Sequence, residues 1–253
     1  MAVIGIMSAL HEELAAVLAD MPDEQRSTVA GRDFWVGHWQ GHAVVAVLSR
    51  IGKVAAATTA TVMLERFGVD ALVFTGAAGG LGPAVRVGDV VVASGLVQHD
   101  MDASPLFPRQ EVPLYGRALF ESDATLSAQL AEAAQRVLQA ADQHLGAETL
   151  AQFQLNSPHV HWGLIASGDR FVSTTGESQA LRQALPDALA VEMEGAAVAQ
   201  VCFDYGVPFA AVRTISDRAD DMAHTDFNRF IREVASRYSR AILSQWLAKR
   251  PSV

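Results

Sequence analysis

Residues 53–80, KVAAATTATVMLERFGVDALVFTGAAGG, carry the alternation that decides the fold. Lys53 to Phe67 is rich in Ala and Thr and stops at Gly68, which predicts a helix with a glycine at its C-terminus. Ala71 to Thr75 is an apolar strand that runs straight into a glycine-rich loop, Gly76-Ala77-Ala78-Gly79-Gly80. The same alternation continues outward. Val3 to Met7 predicts a buried strand and Leu10 to Leu18 a helix. Phe34 to Gln40 and Ala43 to Leu48 predict a hairpin around Gly41-His42. Val85 to Ala93, Ala188 to Val191 and Pro208 to Ile215 predict further strands. Helices are predicted over 122–142, 177–185 and 192–205, and an irregular loop over 143–159. The longest helix is predicted from Asp226 to Leu247, with Phe227, Phe230, Val234, Tyr238, Ile242 and Trp246 at helical spacing. Strands apolar on both faces, alternating with helices, imply a mixed or parallel sheet covered by helices.

Composition bounds the function. The chain has 253 residues, half of them apolar, and fits one α/β domain with a large core. A net charge of −9 argues against nucleic acid or an anionic membrane as partner. The start has no basic leader, and no apolar run approaches the ~20 residues of a membrane helix. The single cysteine, Cys202, excludes an intrachain disulfide and fits a cytoplasmic protein. It sits mid-helix among apolar residues and reads as core. Residues 104–118, SPLFPRQEVPLYGRA, combine three prolines, which forbid regular structure, with the apolar side chains Leu106, Phe107, Leu114 and Tyr115. Such a loop covers its own core, a site or a neighbouring subunit.

In α/β sheets, polar residues at the carboxyl ends of strands build the site. Glu12 and Glu13, Glu192 and Glu194, and Asp217 all stand at predicted strand ends. Each acid alone could merely cap a helix. Two on opposite sides of a glycosidic bond can split it with water, one activating the water and one protonating the leaving group. The glycine-rich loop is neither a Walker loop nor GxGxxG. His99-Asp100-Met101-Asp102 lacks a second histidine cluster at ligand spacing, so no metal is expected. Ser167-Gly168-Asp169 and Ser216-Asp217 lack the GxSxG elbow of a serine hydrolase.

Taken together, GIMSALHEEL at 5–14, SRIGKVAAA at 49–57, TGAAGG at 75–80, VGDVVVAS at 87–94, HDMD at 99–102, SGDRFV at 167–172, VEMEGAA at 191–197 and RTISD at 213–217 form an ordered set. The set resembles the 5′-methylthioadenosine/S-adenosylhomocysteine nucleosidases of the nucleoside phosphorylase superfamily, from residue 3 to about 245. The resemblance implies a single-domain three-layer sandwich with a central mixed sheet. It implies hydrolysis of the N-glycosidic bond of 5′-substituted adenosines, a nucleoside substrate, no cofactor and a homodimer. It makes Glu13 the base that activates water and Asp217 the acid at purine N7, with an Asp217 pKa raised by apolar burial. Glu194 would hold the ribose hydroxyls and Met193 pack on the sugar. Phe171 would stack on adenine, and the Val172 backbone would read its edge. Arg213 and Ser216 would orient the acids and the water, and Ala9, Leu10, Ile51, Ala78 and Gly79 would line the pocket. Leu106, Phe107 or Pro113 would shape the pocket for the 5′-substituent or reach a second subunit. Ala77 stands where the family often has Ser, and it carries no role.

Four rivals remain at this level, and one of them, a structural or interaction domain suggested by the Pro-rich loop, would leave the strand-end acids unexplained. A phosphorylase would need cations for phosphate, and the first loop offers two acids instead. A futalosine-type hydrolase shares the hydrolytic logic. A non-catalytic nucleoside-binding protein would lack the acids.

Overall fold

The computed structural model describes residues 2–220 and 227–250. Ten strands form one mixed sheet in the order β10-β6-β8-β9-β5-β1-β4-β3-β2, with β7 added on β6. The strands are β1 (Val3–Ser8), β2 (Gln25–Val29), β3 (Arg32–Trp39), β4 (His42–Leu48), β5 (Ala71–Gly80), β6 (Val90–Gln98), β7 (Leu119–Glu121), β8 (Val160–Ser167), β9 (Ala188–Glu192) and β10 (Phe209–Asp217). β1 runs parallel to both β4 and β5.

Period-two alternation puts apolar side chains on both faces of the sheet. On one face, Ile4, Ile6, Val44, Ala46, Ala210 and Val212 join a core completed by α1 (His11–Leu18), α3 (Ala124–Gln139) and the C-terminal helix. On the other, Met7, Val45, Val47, Leu72, Phe74 and Ala211 pack against α2 (Lys53–Phe67) and α7 (Gly195–Tyr205). The result is the expected three layers, helices over a central mixed sheet. Gly5 marks how closely they approach, since a Cβ there would lie 2.6 Å from Met63 Sδ.

The C-terminal helix is not uniform. α8 (Phe227–Phe230) passes through a π-helical turn, Ile231–Ala235, into α9 (Ser236–Leu247). The predicted first residue, Asp226, lies outside the described residues. Tyr238, Ile242 and Trp246 are buried as their spacing requires, and Trp246 Nε1 donates to Gln129 Oε1 at 3.2 Å.

Several expectations need correction. The glycine run 76–80 is not a loop but the second half of β5, because its backbone pairs with β10 and β9. β6 starts at Val90 rather than Val85; Arg86 to Asp89 form a turn closed by Arg86 N–H on Asp89 Oδ2 at 2.9 Å. The hairpin turn is Gln40-Gly41, both at positive φ (50° and 81°), so His42 belongs to the strand. The stretch 143–159 is not wholly irregular: α4 (Ala141–Leu145) and α5 (Ala147–Gln152) occupy much of it. β2, β7 and β8 were not anticipated.

Replacing Trp246 with Ala should empty a filled site between α9 and α3 and cost about 3–5 kcal/mol. The midpoint of urea unfolding, with an unchanged m-value, reads this directly.

Candidate active site

β5 pairs with β10 along its length, and its last two residues, Gly79 and Gly80, pair with Val191 and Ala190 of β9. The path β5–β10–β6–β8–β9 therefore returns to β5 and closes on itself. This closure brings together the ends of β1, β5, β9 and β10 around a cavity of about 170 Å³.

Its lining includes Ala9, Leu10, Ile51, Ala78, Gly79, Phe171, Val172, Met193, Glu194, Ser216 and Asp217, each expected from sequence. Ala77, Arg170, Val191, Glu192 and Phe227 line it as well. Phe227 was not singled out for the site because its helical spacing marked it as core. In the fold it meets the Phe171 ring edge to face, with centroids 6.2 Å apart.

At the base of this site lies Glu192, the acid to which sequence reading attached no role. Its carboxylate accepts Arg213 Nη2 at 2.8 Å, Gly195 N–H at 2.8 Å, Glu194 N–H at 3.2 Å and the Ser167 hydroxyl. It caps the N-terminus of α7, where the helix dipole favours an anion. Gly195 leaves the room: a Cβ there would come within 3.2 Å of Glu192 Oε2. Arg213 is fully buried over the Phe74 ring, 4.1 Å from its centroid, and donates to Phe74 O at 2.9 Å. Arg213 thus does not line the cavity; its guanidinium is committed to Glu192 and to β5.

Glu194, two residues on, is buried and accepts Gly52 N–H on Oε1 at 2.8 Å. Burial first, then the neighbouring Glu192 charge, pushes its pKa up to about 7, against the pull of the Gly52 bond and Arg213. Asp217 follows a β-bulge at the end of β10, which turns it toward Gly79. Its Oδ2 accepts the Ser216 hydroxyl at 2.8 Å and its Oδ1 accepts Ala219 N–H at 2.7 Å. Gly79 permits this approach, since a Cβ there would meet Asp217 Oδ1 at 3.0 Å.

The two acids of α1 separate cleanly. Glu12 faces solvent, as a residue that merely favours the helix N-terminus would. Glu13 is fully buried; Oε2 accepts Leu10 N–H at 3.3 Å, and Oε1 has no partner among the described residues. Burial pushes the Glu13 pKa up to about 7, opposed chiefly by the Arg213 charge. Glu13 stands behind the lining residues Ala9 and Leu10 in sequence rather than on the cavity wall itself.

Of the two places open to the Pro-rich segment, the pocket of its own chain is not the one it takes among the described residues. Leu106, Phe107 and Pro113 do not line the cavity of their own chain. Leu106 is 84% and Leu114 92% exposed, because three prolines and a run of turns keep the segment off the sheet. Cys202 is core, as read, and burial pushes its thiol up to about 12.

This fold and this cluster of strand-end acids define a class. A sequence model of the Phosphorylase superfamily matches residues 3–247. A 5′-methylthioadenosine/S-adenosylhomocysteine nucleosidase from Marinomonas sp. (strain MWYL1) is 37% identical over 248 residues, covering 98% of this chain and 99% of the relative. The structure of such a nucleosidase from S. pneumoniae with a transition-state inhibitor superposes with a TM-score of 0.83 at 35% identity, covering 97% of this chain and 98% of that one. The Neisseria meningitidis enzyme in complex with methylthio-immucillin-A gives 0.86 at 29% identity, covering 99% and 100%. A futalosine hydrolase mutant of Helicobacter pylori gives 0.83 at 32%, covering 97% and 98%. The chain belongs to the 5′-methylthioadenosine/S-adenosylhomocysteine nucleosidase family.

A buried carboxyl with a raised pKa binds a proton in the folded state that it has lost in the unfolded one. Its contribution to stability therefore declines as pH rises from the ordinary carboxylate range through about 7. Glu13→Gln removes that loss. The variant should unfold at a higher temperature than the parent at pH 8, by the equivalent of roughly 1–3 kcal/mol, and the gap should close toward pH 4.

Proposed function

We propose that this chain hydrolyses the N-glycosidic bond of 5′-methylthioadenosine and S-adenosylhomocysteine, and of 5′-deoxyadenosine, releasing adenine and the 5-substituted ribose. The observation that carries this reading is one apolar cavity lined by Glu194 and Asp217 from two strand ends, with the fully buried Glu13 carboxyl following the lining residues Ala9 and Leu10 on α1. Glu13, with a pKa pushed up to about 7 and an Oε1 that has no partner among the described residues, accepts a proton from water. The water oxygen bonds to the sugar C1′ as the bond from C1′ to the purine nitrogen breaks. Asp217 protonates or hydrogen-bonds purine N7, so that adenine leaves neutral. Positive charge on the sugar is stabilised by the carboxylates. Glu194 holds the 2′- and 3′-hydroxyls and Met193 packs on the sugar. Phe171 stacks on adenine while the Val172 backbone reads its edge, and Ser216 orients Asp217. Arg213 acts at one remove, through Glu192 and through its charge on Glu13.

Phosphate is a poor fit as the acceptor. Among the described lining residues the one cation is Arg170, which stands exposed at the rim and is paired with Glu177. Arg213 is already neutralised by Glu192.

Adenine release from 5′-methylthioadenosine, measured with and without phosphate, tests the reading. Rapid release without phosphate is expected, whereas release that requires phosphate would make the chain a phosphorylase. S-adenosylhomocysteine, 5′-deoxyadenosine, inosine and futalosine run alongside, and preference for futalosine would move it to the futalosine hydrolases. Asp217→Asn should lower kcat by about 10²–10⁴-fold while nucleoside binding survives, and Glu13→Gln likewise. Normal turnover in either variant would remove that residue's role.

The assembly we propose is a homodimer acting in the cytoplasm, in methionine salvage. The exposed Leu106 and Leu114 on the Pro-rich segment support it, since apolar residues in such a loop need cover. Light scattering should give twice the mass of the chain at every concentration assayed, and a stable monomer would contradict the dimer.

A further inference from the structure

Three motifs have no part in the chemistry above: Lys53 after Ile51-Gly52, Asp100 after His99, and Asp169 after Ser167-Gly168. They stand on three separate connections, at the start of α2, after β6 and after β8. In the fold they meet. Lys53 Nζ donates to Asp100 Oδ1 at 2.5 Å and lies 3.9 Å from Asp169 Oδ2. Asp169 Oδ1 accepts Lys53 N–H at 2.7 Å, and Asp100 Oδ2 accepts Asp169 N–H at 2.8 Å. Each aspartate thus uses both oxygens to tie one connection to another. The lysine side chain is only 15% exposed, while the Asp100 and Asp169 side chains are 26% and 50% exposed, so the group is buried on the lysine side and open to water at Asp169. Behind it, His99 lies against Gly168, where a Cβ would fall 2.2 Å from the ring.

Next to Lys53 is Gly52, whose N–H is the donor to Glu194 Oε1 at 2.8 Å. Gly52 sits at φ 93°, and a Cβ there would lie 3.1 Å from Asp169 Oδ1. Ile51, one residue earlier, walls the cavity although 63% of it is exposed. Nothing in the helix propensity of α2 directs the Gly52 N–H at the cavity. The direction comes from the contacts on either side of it.

We propose that Lys53, Asp100 and Asp169 form a positioning clamp that holds the Ile51-Gly52 turn over the cavity and so fixes the Glu194 carboxylate for the ribose hydroxyls. The clamp touches neither substrate nor reacting atoms. It acts through one backbone donor. Glu194 also faces the like charge of Glu192 and the opposite charge of Arg213, and the Gly52 bond is the contact that comes from outside the sheet. Without the clamp, Glu194 keeps its burial and its charged neighbours but loses a defined orientation. The consequence is specific. Recognition of the sugar hydroxyls weakens, while the adenine end of the site and the water-activating group stay intact.

The inference rests on the nucleosidase reading and is tested against it. kcat and KM are measured for 5′-methylthioadenosine and for its 2′-deoxy analogue, in the parent chain and in Lys53→Met and Asp100→Asn. The parent should favour the ribose substrate. Each variant should reduce the ratio of the two kcat/KM values about tenfold, mainly by raising KM for the ribose substrate, the scale of one lost charge-assisted contact. An unchanged ratio in the variants overturns the clamp, whatever happens to their melting temperatures. If Lys53→Met does not fold, Asp100→Asn decides the matter alone. Absence of adenine release by the parent chain would instead sink the nucleosidase reading, so the two failures are distinct.

Discussion

The buried ion pair between Glu192 and Arg213 organises the site. Removing two charges from water costs several kcal/mol per ion, and their attraction offsets this only with good geometry and further hydrogen bonds. Both are present. Glu192 takes four donors at the N-terminus of α7, and Arg213 reaches the Phe74 carbonyl and ring. One contact thereby ties β8, β9, α7, β10 and β5 together at the point where the sheet closes. Its charges also tune the carboxylates around it. Glu192 raises Glu194, and Arg213 restrains Glu13.

That closure explains why the glycines of β5 fall where they do. Gly79 and Gly80 must pair with β9 on one side while β10 runs along the other. At Gly79 the missing side chain is the space taken by Asp217 and Ala219. A side chain there would push the acid out of the position that the bulge in β10 creates. The site holds a cost as well. A fully buried glutamate with an oxygen lacking a partner among the described residues is unfavourable for the fold, and such groups persist where chemistry needs them.

Much of the fold was legible in the sequence, for definite reasons. β1, β4, β5 and β10 are apolar on both faces, and α2 ends at a glycine that adopts the left-handed conformation at φ 60°. The sequence pattern of β2 hides it because it is an edge strand of mostly polar, largely exposed residues, QRSTV, paired with β3 and anchored to the core by Val29. β8 interrupts its apolar run with His161 and Gly163. The Gly163 position is packed by Leu189, where a Cβ would lie 2.4 Å from Leu189 Cδ1. The glycine run of β5 reads locally as a turn. It is extended because remote strands satisfy its backbone.

The sequence by itself determined the layered α/β class, the two apolar faces of the sheet and the stock of acids at strand ends. Only the tertiary structure decided which acid does what. Glu12 and Glu13 are neighbours in sequence, yet one meets solvent and the other the interior. Arg213 turned from the cavity to Glu192, Phe227 entered from the C-terminal helix, and Gly52 found Glu194 across 142 residues. The physical reason is that burial, charge and hydrogen bonding at a side chain are set by whatever the folded chain places within a few ångströms. That neighbourhood is not written in the local order of residues.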